Sequence, residues 1–184
     1  MEFVHQQVDE IKRIWKNKRQ LAHQALNLAM VALTALMIWK GLMWYTQSES
    51  PVVVVLSGSM EPAFQRGDIL YLENTKPNME IGDIIVYKIA GRDIPIVHRI
   101  LNVHQHAKTG REYYLTKGDN NNFDDRTGGL YAHGQRWLER SDIVGVARGS
   151  VPYAGMLTIL LNDYPPLKFV LIGGVALLAF TQRE

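Results

Sequence analysis

The chain has 184 residues, with 20 Lys and Arg against 18 Asp and Glu, and no cysteine. Near-balanced charge argues against a nucleic-acid partner, and the missing thiols exclude disulfides, thiolate metal sites and cysteine nucleophiles. The length suits one folded domain with short appendages and a sizeable core.

The basic residues are unevenly spread. Lys12, Arg13, Lys16, Lys18 and Arg19 crowd together just before the longest apolar stretch. Within residues 1–20, Val4, Val8, Ile11 and Trp15 recur at helical spacing beside these cations, the pattern of an amphipathic basic segment lying on a membrane surface. Residues 21–45, "LAHQALNLAMVALTALMIWKGLMWY", supply the roughly 20 apolar residues that a spanning helix needs. Lys40 sits near one end beside Trp39, Trp44 and Tyr45, where its long side chain snorkels to the head groups. A buried soluble helix and a cleavable signal peptide are the competing readings. The basic cluster on one side, the interfacial aromatics on the other and the length of the run favour a transmembrane signal anchor. The positive-inside rule then leaves the N-terminus in the cytosol and everything after Gln47 across the membrane.

Residues 46–164 change texture. Short alternating runs, "DILYLEN", "GDIIVYKIA", "IPIVHRILNVH", "REYYLTKG" and "DIVGVARG", are separated by Gly, Pro, Asn and Asp, which predicts a mostly β, antiparallel domain. The first run, "VVVVL", reads as a buried strand that ends in two serines one glycine apart, Ser57 and Ser59. Serines are common where strands become turns; the sharper reading makes one of them a nucleophile, which needs a positioned base. Residues 165–184 contain a second apolar run, Leu167 to Phe180. As a helix it measures about 21 Å, short of the roughly 30 Å hydrocarbon core. It either enters the bilayer without crossing it or packs on the β domain.

Six histidines are candidate bases. His5 and His23 lie before or within the span, and His104, His106 and His133 flank turn-forming segments. His98 stands mid-strand between aliphatic residues in "IPIVHRIL", either as a core histidine satisfied by hydrogen bonds or as a general base near neutral pH. The segment "TKGDNNNFDDRTGG" carries Asp119, Asp124 and Asp125. It reads as a polar turn, since the EF-hand spacing and closing glutamate are missing. An aspartate there would orient His98 and stabilise its imidazolium.

Several ordered motifs together resemble the signal peptidase I family in its endoplasmic-reticulum form: "LSGSMEPAF" with "RGDIL", "GDIIVYKI", "IPIVHRIL", "KGDNN" with "DDR", and "VGVARG" with "VPYAG". The resemblance implies an antiparallel β-sheet or partly open barrel of the signal-peptidase type, between an N-terminal transmembrane helix and a short C-terminal membrane-associated helix. It implies a membrane-bound serine endopeptidase, lumenal in the endoplasmic reticulum, that cleaves signal peptides from preproteins after small residues. By the same resemblance Ser59 is the nucleophile and His98 the base, at a position where bacterial relatives use lysine. Ser57 and the Ser59 backbone N–H form the oxyanion hole. Asp125 is the acid, with Asp119 and Asp124 as alternative or supporting acids. No cofactor or metal is implied; the partners are accessory membrane subunits of a signal peptidase complex and the lipid bilayer. Two other functions compete: a non-catalytic anchored β module that binds signal segments, and a self-cleaving regulator. The second would want a DNA-binding domain where the span stands.

Overall fold

The computed structural model describes residues 18–92 and 94–181. The expected surface segment before Lys18, with His5, lies outside the described residues. The first helix, α1, runs Lys18–Thr46 and buries none of its residues. Its 29 residues span about 44 Å, and the expected span of residues 21–45 falls within it. Among the described residues it is the one helix long and apolar enough to cross a membrane. The helix through Tyr45 is one compact unit, and the chain from Thr46 onward is another.

The second unit is built on seven strands: β1 Val52–Val54, β2 Ile69–Glu73, β3 Ile84–Tyr87, β4 Ile96–Gln105, β5 Glu112–Lys117, β6 Leu138–Glu139 and β7 Ile143–Val151. They pair antiparallel in the order β1-β2-β7-β3-β4-β5-β6. The mostly β, antiparallel expectation holds, as an open half-barrel with short strands at both edges. Two helices follow, α2 Met156–Asp163 and α3 Pro165–Thr181. The sequence reading took residues 46–164 as one mostly β domain and did not find α2 within it. Eight residues rich in Leu and Ile suit a short strand as well as a helix.

The "VVVVL" run differs from its expectation. Only Val52–Val54 pair as a strand, all three half-buried at the sheet edge, while Val55 is buried and Leu56 is exposed. Continuous apolarity here marks the wall of a groove rather than a strand covered on both faces.

Side-chain alternation divides the core in two. Ile85 and Tyr87 join Ile100, Tyr114, Leu138 and Val146 on one side. Val86 joins Val55, Leu70, Leu72 and Val144 on the other. Register decides where His98 points. It pairs with Ile85, and Thr116 pairs with Ile100; since directly paired residues share a face, Tyr87, His98 and Thr116 emerge on the same side of three adjacent strands.

The turn after the serines is tied to the start of α2. The buried Asp68 carboxylate accepts the backbone N–H of Gln65 at 2.9 Å and of Tyr153 at 3.0 Å. The Gly155 N–H donates to the Gly67 carbonyl at 2.8 Å, and Arg66 pairs with Asp163 at 2.7 Å. Gly67 has φ +98°, and a Cβ there would fall 2.3 Å from the Met156 sulfur. Gly67→Ala therefore combines left-handed strain with a steric clash and is expected to destabilise the domain by about 1–3 kcal/mol. Gly82 has φ +97° with nothing within 4 Å of a Cβ, so Gly82→Ala carries the strain alone. Thermal unfolding of the purified variants should show the larger loss for Gly67→Ala.

Candidate active site

Ser57 and Ser59 sit on a tight turn where the chain leaves β1. Phe64 N–H donates to the Met60 carbonyl and Glu61 N–H to that of Gly58. Met60, fully buried, anchors the turn. From the far side Asn120 clamps it: its backbone N–H donates to the Ser59 carbonyl at 2.9 Å, and its side-chain amide to the Gly58 carbonyl at 3.1 Å. This close approach requires Gly118. A Cβ there would lie 2.7 Å from the Ser59 carbonyl oxygen and 2.8 Å from His98 Nε2.

His98 Nε2 lies 3.2 Å from Ser59 Oγ, and His98 Nδ1 lies 2.6 Å from Asp125 Oδ2. His98 is 2% exposed and Asp125 0% exposed, so the imidazole has one protein-facing nitrogen and one facing the serine. With no proton on a carboxylate, Nδ1–H is the donor to Asp125, and Nε2 is left free to accept from Ser59. Ser57 Oγ is 3.2 Å from Ser59 Oγ.

The three aspartates occupy different environments. Asp125 is brought to His98 by the loop after β5, with its backbone N–H donating to the Thr116 carbonyl at 2.9 Å. Asp119 is turned away, in a paired contact with Arg99 at 2.9 and 2.6 Å. The Arg99 hydrogen bond holds the Asp119 carboxyl below the usual range. Its contribution is therefore complete above the ordinary carboxylate range and lost as the pH falls through that lowered value. Asp124 accepts the Thr127 backbone N–H at 2.7 Å, which likewise lowers its carboxyl. Geometry thus brings Ser59, His98 and Asp125 together and leaves Asp119 and Asp124 holding loops.

Two hydroxyls that sequence reasoning did not find contact Asp125, and a third backs one of them. Tyr87 donates to Oδ2 at 2.8 Å and Thr116 at 2.5 Å, while Tyr131 lies 2.9 Å from Thr116 Oγ1. Burial, followed by the charge of Asp125, pushes the Tyr87 phenol far up. Burial also moves Tyr131 up to about 12, so both phenols stay protonated. The signal was present in "IIVY" and "YLTK", whose alternation places Tyr87 and Thr116 on the face of His98, but it needed the register.

The other histidines are elsewhere. His104 is exposed and stacks on Trp137 at 5.7 Å between centroids, His106 accepts or donates locally with Thr109, and His133 is exposed in a turn. His23 lies on α1.

A groove of about 920 Å³ opens at Ser59 and His98. Val53, Val55 and Leu56 line one side, Ile94, Ile96 and Val97 another, and Thr158 and Asn162 of α2 also reach it. The valine run thus supplies part of the groove wall. A mostly apolar trough beside a strand at the sheet edge, ending at the Ser59 hydroxyl, suits an extended peptide bearing small apolar side chains.

No family model matches the chain. Signal peptidase complex catalytic subunit SEC11C of Rattus norvegicus is 56% identical over 169 residues, covering 91% of this chain and 86% of the relative. The protein of the same name from Homo sapiens gives the same values. Signal peptidase complex catalytic subunit sec11 of Dictyostelium discoideum is 53% identical over 167 residues, covering 91% of this chain and 92% of the relative. The resemblance carried by the serine, histidine and aspartate motifs therefore holds along the chain, which belongs to the family of signal peptidase complex catalytic subunits.

Proposed function

We propose that this chain is the membrane-bound serine endopeptidase of a signal peptidase complex, removing N-terminal signal peptides from preproteins that enter the endoplasmic reticulum. The observation that carries this reading is the unbroken contact chain from Ser59 Oγ through His98 to Asp125, at 3.2 and 2.6 Å, at the end of an apolar groove.

In this mechanism His98 Nε2 takes the Ser59 proton as Ser59 Oγ attacks the scissile carbonyl carbon. The carbonyl π electrons move onto oxygen, where Ser57 Oγ–H and the Ser59 backbone N–H receive the negative charge. Asp125 holds the imidazolium in place. Collapse of the tetrahedral species breaks the C–N bond, and His98 delivers its proton to the departing amine, which becomes the N-terminus of the mature protein. A water molecule then attacks the acyl-enzyme with His98 again as base, freeing the signal peptide and Ser59. None of these steps calls for a metal or cofactor.

The substrate pairs as an added strand along β1, with small residues at the first and third positions before the cut fitting the valine-lined wall. Its own apolar segment lies in the same bilayer as α1, so anchoring raises the effective concentration of the cleavage site. In the orientation read from the basic cluster, the N-terminus is cytosolic and the β unit lumenal. At about 26 Å for its 17 residues, α3 is short for a full crossing and enters the bilayer from the lumenal side. Accessory membrane subunits complete the assembly.

Processing of a preprotein by the purified complex tests the nucleophile and base. Ser59→Ala and His98→Ala are each expected to lower cleavage by at least about 10³-fold; full cleavage by Ser59→Ala would overturn the reading.

The aspartates separate in the same assay. Asp125→Asn should cost about 10³–10⁴-fold in kcat, because the amide presents Nδ1 with the wrong tautomer partner. Asp124→Asn should stay within about threefold, the effect of a weakened loop hydrogen bond. Asp119→Asn, which leaves Arg99 half-paired, should lower the thermal midpoint more than it lowers kcat. Equal losses at Asp124 and Asp125 would remove the distinction.

A further inference from the structure

The hydroxyls around Asp125 have a direction. Thr116 Oγ1 lies 2.5 Å from Asp125 Oδ2, and a carboxylate has no proton to give, so Thr116 donates its only one. The Tyr131 phenol oxygen accepts the Thr116 backbone N–H at 3.0 Å and lies 2.9 Å from Thr116 Oγ1. With the threonine proton committed, Tyr131 must donate across that second contact. The protons therefore run from Tyr131 to Thr116 to Asp125, and the Tyr131 oxygen is itself oriented by the backbone of the residue it serves.

All the donors converge on one oxygen. Oδ2 receives His98 Nδ1–H, the Tyr87 hydroxyl and the Thr116 hydroxyl, while Oδ1 is buried with no hydrogen-bond partner among the described residues. An unpartnered buried carboxylate oxygen is costly, so rotation of the carboxylate toward some other partner is favoured unless several bonds on Oδ2 oppose it. We propose that Thr116, driven by Tyr131, is a positioning residue for catalysis. It pins Asp125 Oδ2 on His98 Nδ1 and so keeps Nε2 bare and aimed at Ser59.

This inference rests on the reading of Ser59, His98 and Asp125 as the catalytic residues. Neither Thr116, Tyr131 nor Tyr87 lines the groove. Their loss should therefore leave substrate binding alone and appear in the chemical step, a division that separates positioning from simple packing.

The test uses the purified complex and a preprotein with alanine at the first and third positions before the cut, with kcat and KM measured per folded enzyme and folding followed by thermal melting. Thr116→Val keeps the side-chain shape and should lower kcat about 10- to 100-fold with KM within about twofold, the loss of one hydrogen bond to a charged group. Thr116→Ser restores the hydroxyl and should stay within about threefold of the parent enzyme. Tyr131→Phe should lower kcat about 3- to 10-fold, and the double variant Thr116→Val/Tyr131→Phe should be no slower than Thr116→Val alone, because Tyr131 acts through Thr116.

The proposal is overturned if Thr116→Val leaves kcat unchanged, if Thr116→Ser is as slow as Thr116→Val, or if the two losses multiply in the double variant. Ser59→Ala in the same assay keeps the two readings apart. Full cleavage by Ser59→Ala overturns the catalytic reading and this proposal with it. Abolished cleavage there, together with an unaffected Thr116→Val, overturns only the positioning role.

Discussion

A carboxylate at zero exposure is the constraint on which the rest of the site depends. Removing an ionised group from water costs several kcal/mol unless hydrogen-bond donors replace the solvent. Here Tyr87 from β3, His98 from β4 and Thr116 from β5 supply them. Three adjacent strands are thereby committed in register to one oxygen atom. A one-residue slip in β4 would turn His98 to the opposite face, away from both Asp125 and Ser59.

A second set of contacts fixes Ser59, the proposed nucleophile, against that group of side chains. Ser59 is carried by a turn that its own residues only partly define. The clamp from Asn120, the close approach at Gly118 and the Asp68 carboxylate behind it hold the turn from separate directions. The Arg99–Asp119 pair joins β4 to the same loop that carries Asn120 and Asp125. That loop consequently serves both halves of the site, gripping the serine turn at one end and presenting Asp125 to His98 at the other. This division explains why aspartates so near in sequence occupy different environments.

The groove follows from the position of β1 at the edge of the sheet. A central strand would have its backbone groups taken on both sides, whereas an edge strand keeps one side open to a peptide. Its valines line the trough that leads to Ser59. Thr158 and Asn162 also reach this groove, and their helix is tied to the serine turn through Gly67, Asp68 and Arg66. In the proposed arrangement, the C-terminal segment and the catalytic turn are thus mechanically linked within the β unit.

Much was legible in the sequence because it is local or periodic. The apolar run of α1, the alternation of β2 to β5 and β7, the serine pair at a strand end and an imidazole among aliphatics each follow from neighbouring residues alone. The ordered motifs then identified the family, and Ser59 and His98 stand among the residues of those motifs. What the local pattern left open was which of Asp119, Asp124 and Asp125 faces His98, because a loop's path depends on contacts remote in sequence. Tertiary structure decided that choice through the Asp125 N–H to Thr116 carbonyl bond and the Arg99 pair that draws Asp119 aside. It also decided that Val52–Val54 of "VVVVL" lie half-buried at the sheet edge along a groove, and that Tyr87 and Thr116 meet Asp125 with Tyr131 behind Thr116. Alternation says which residues share a face within one strand, and only the register between strands says which faces meet.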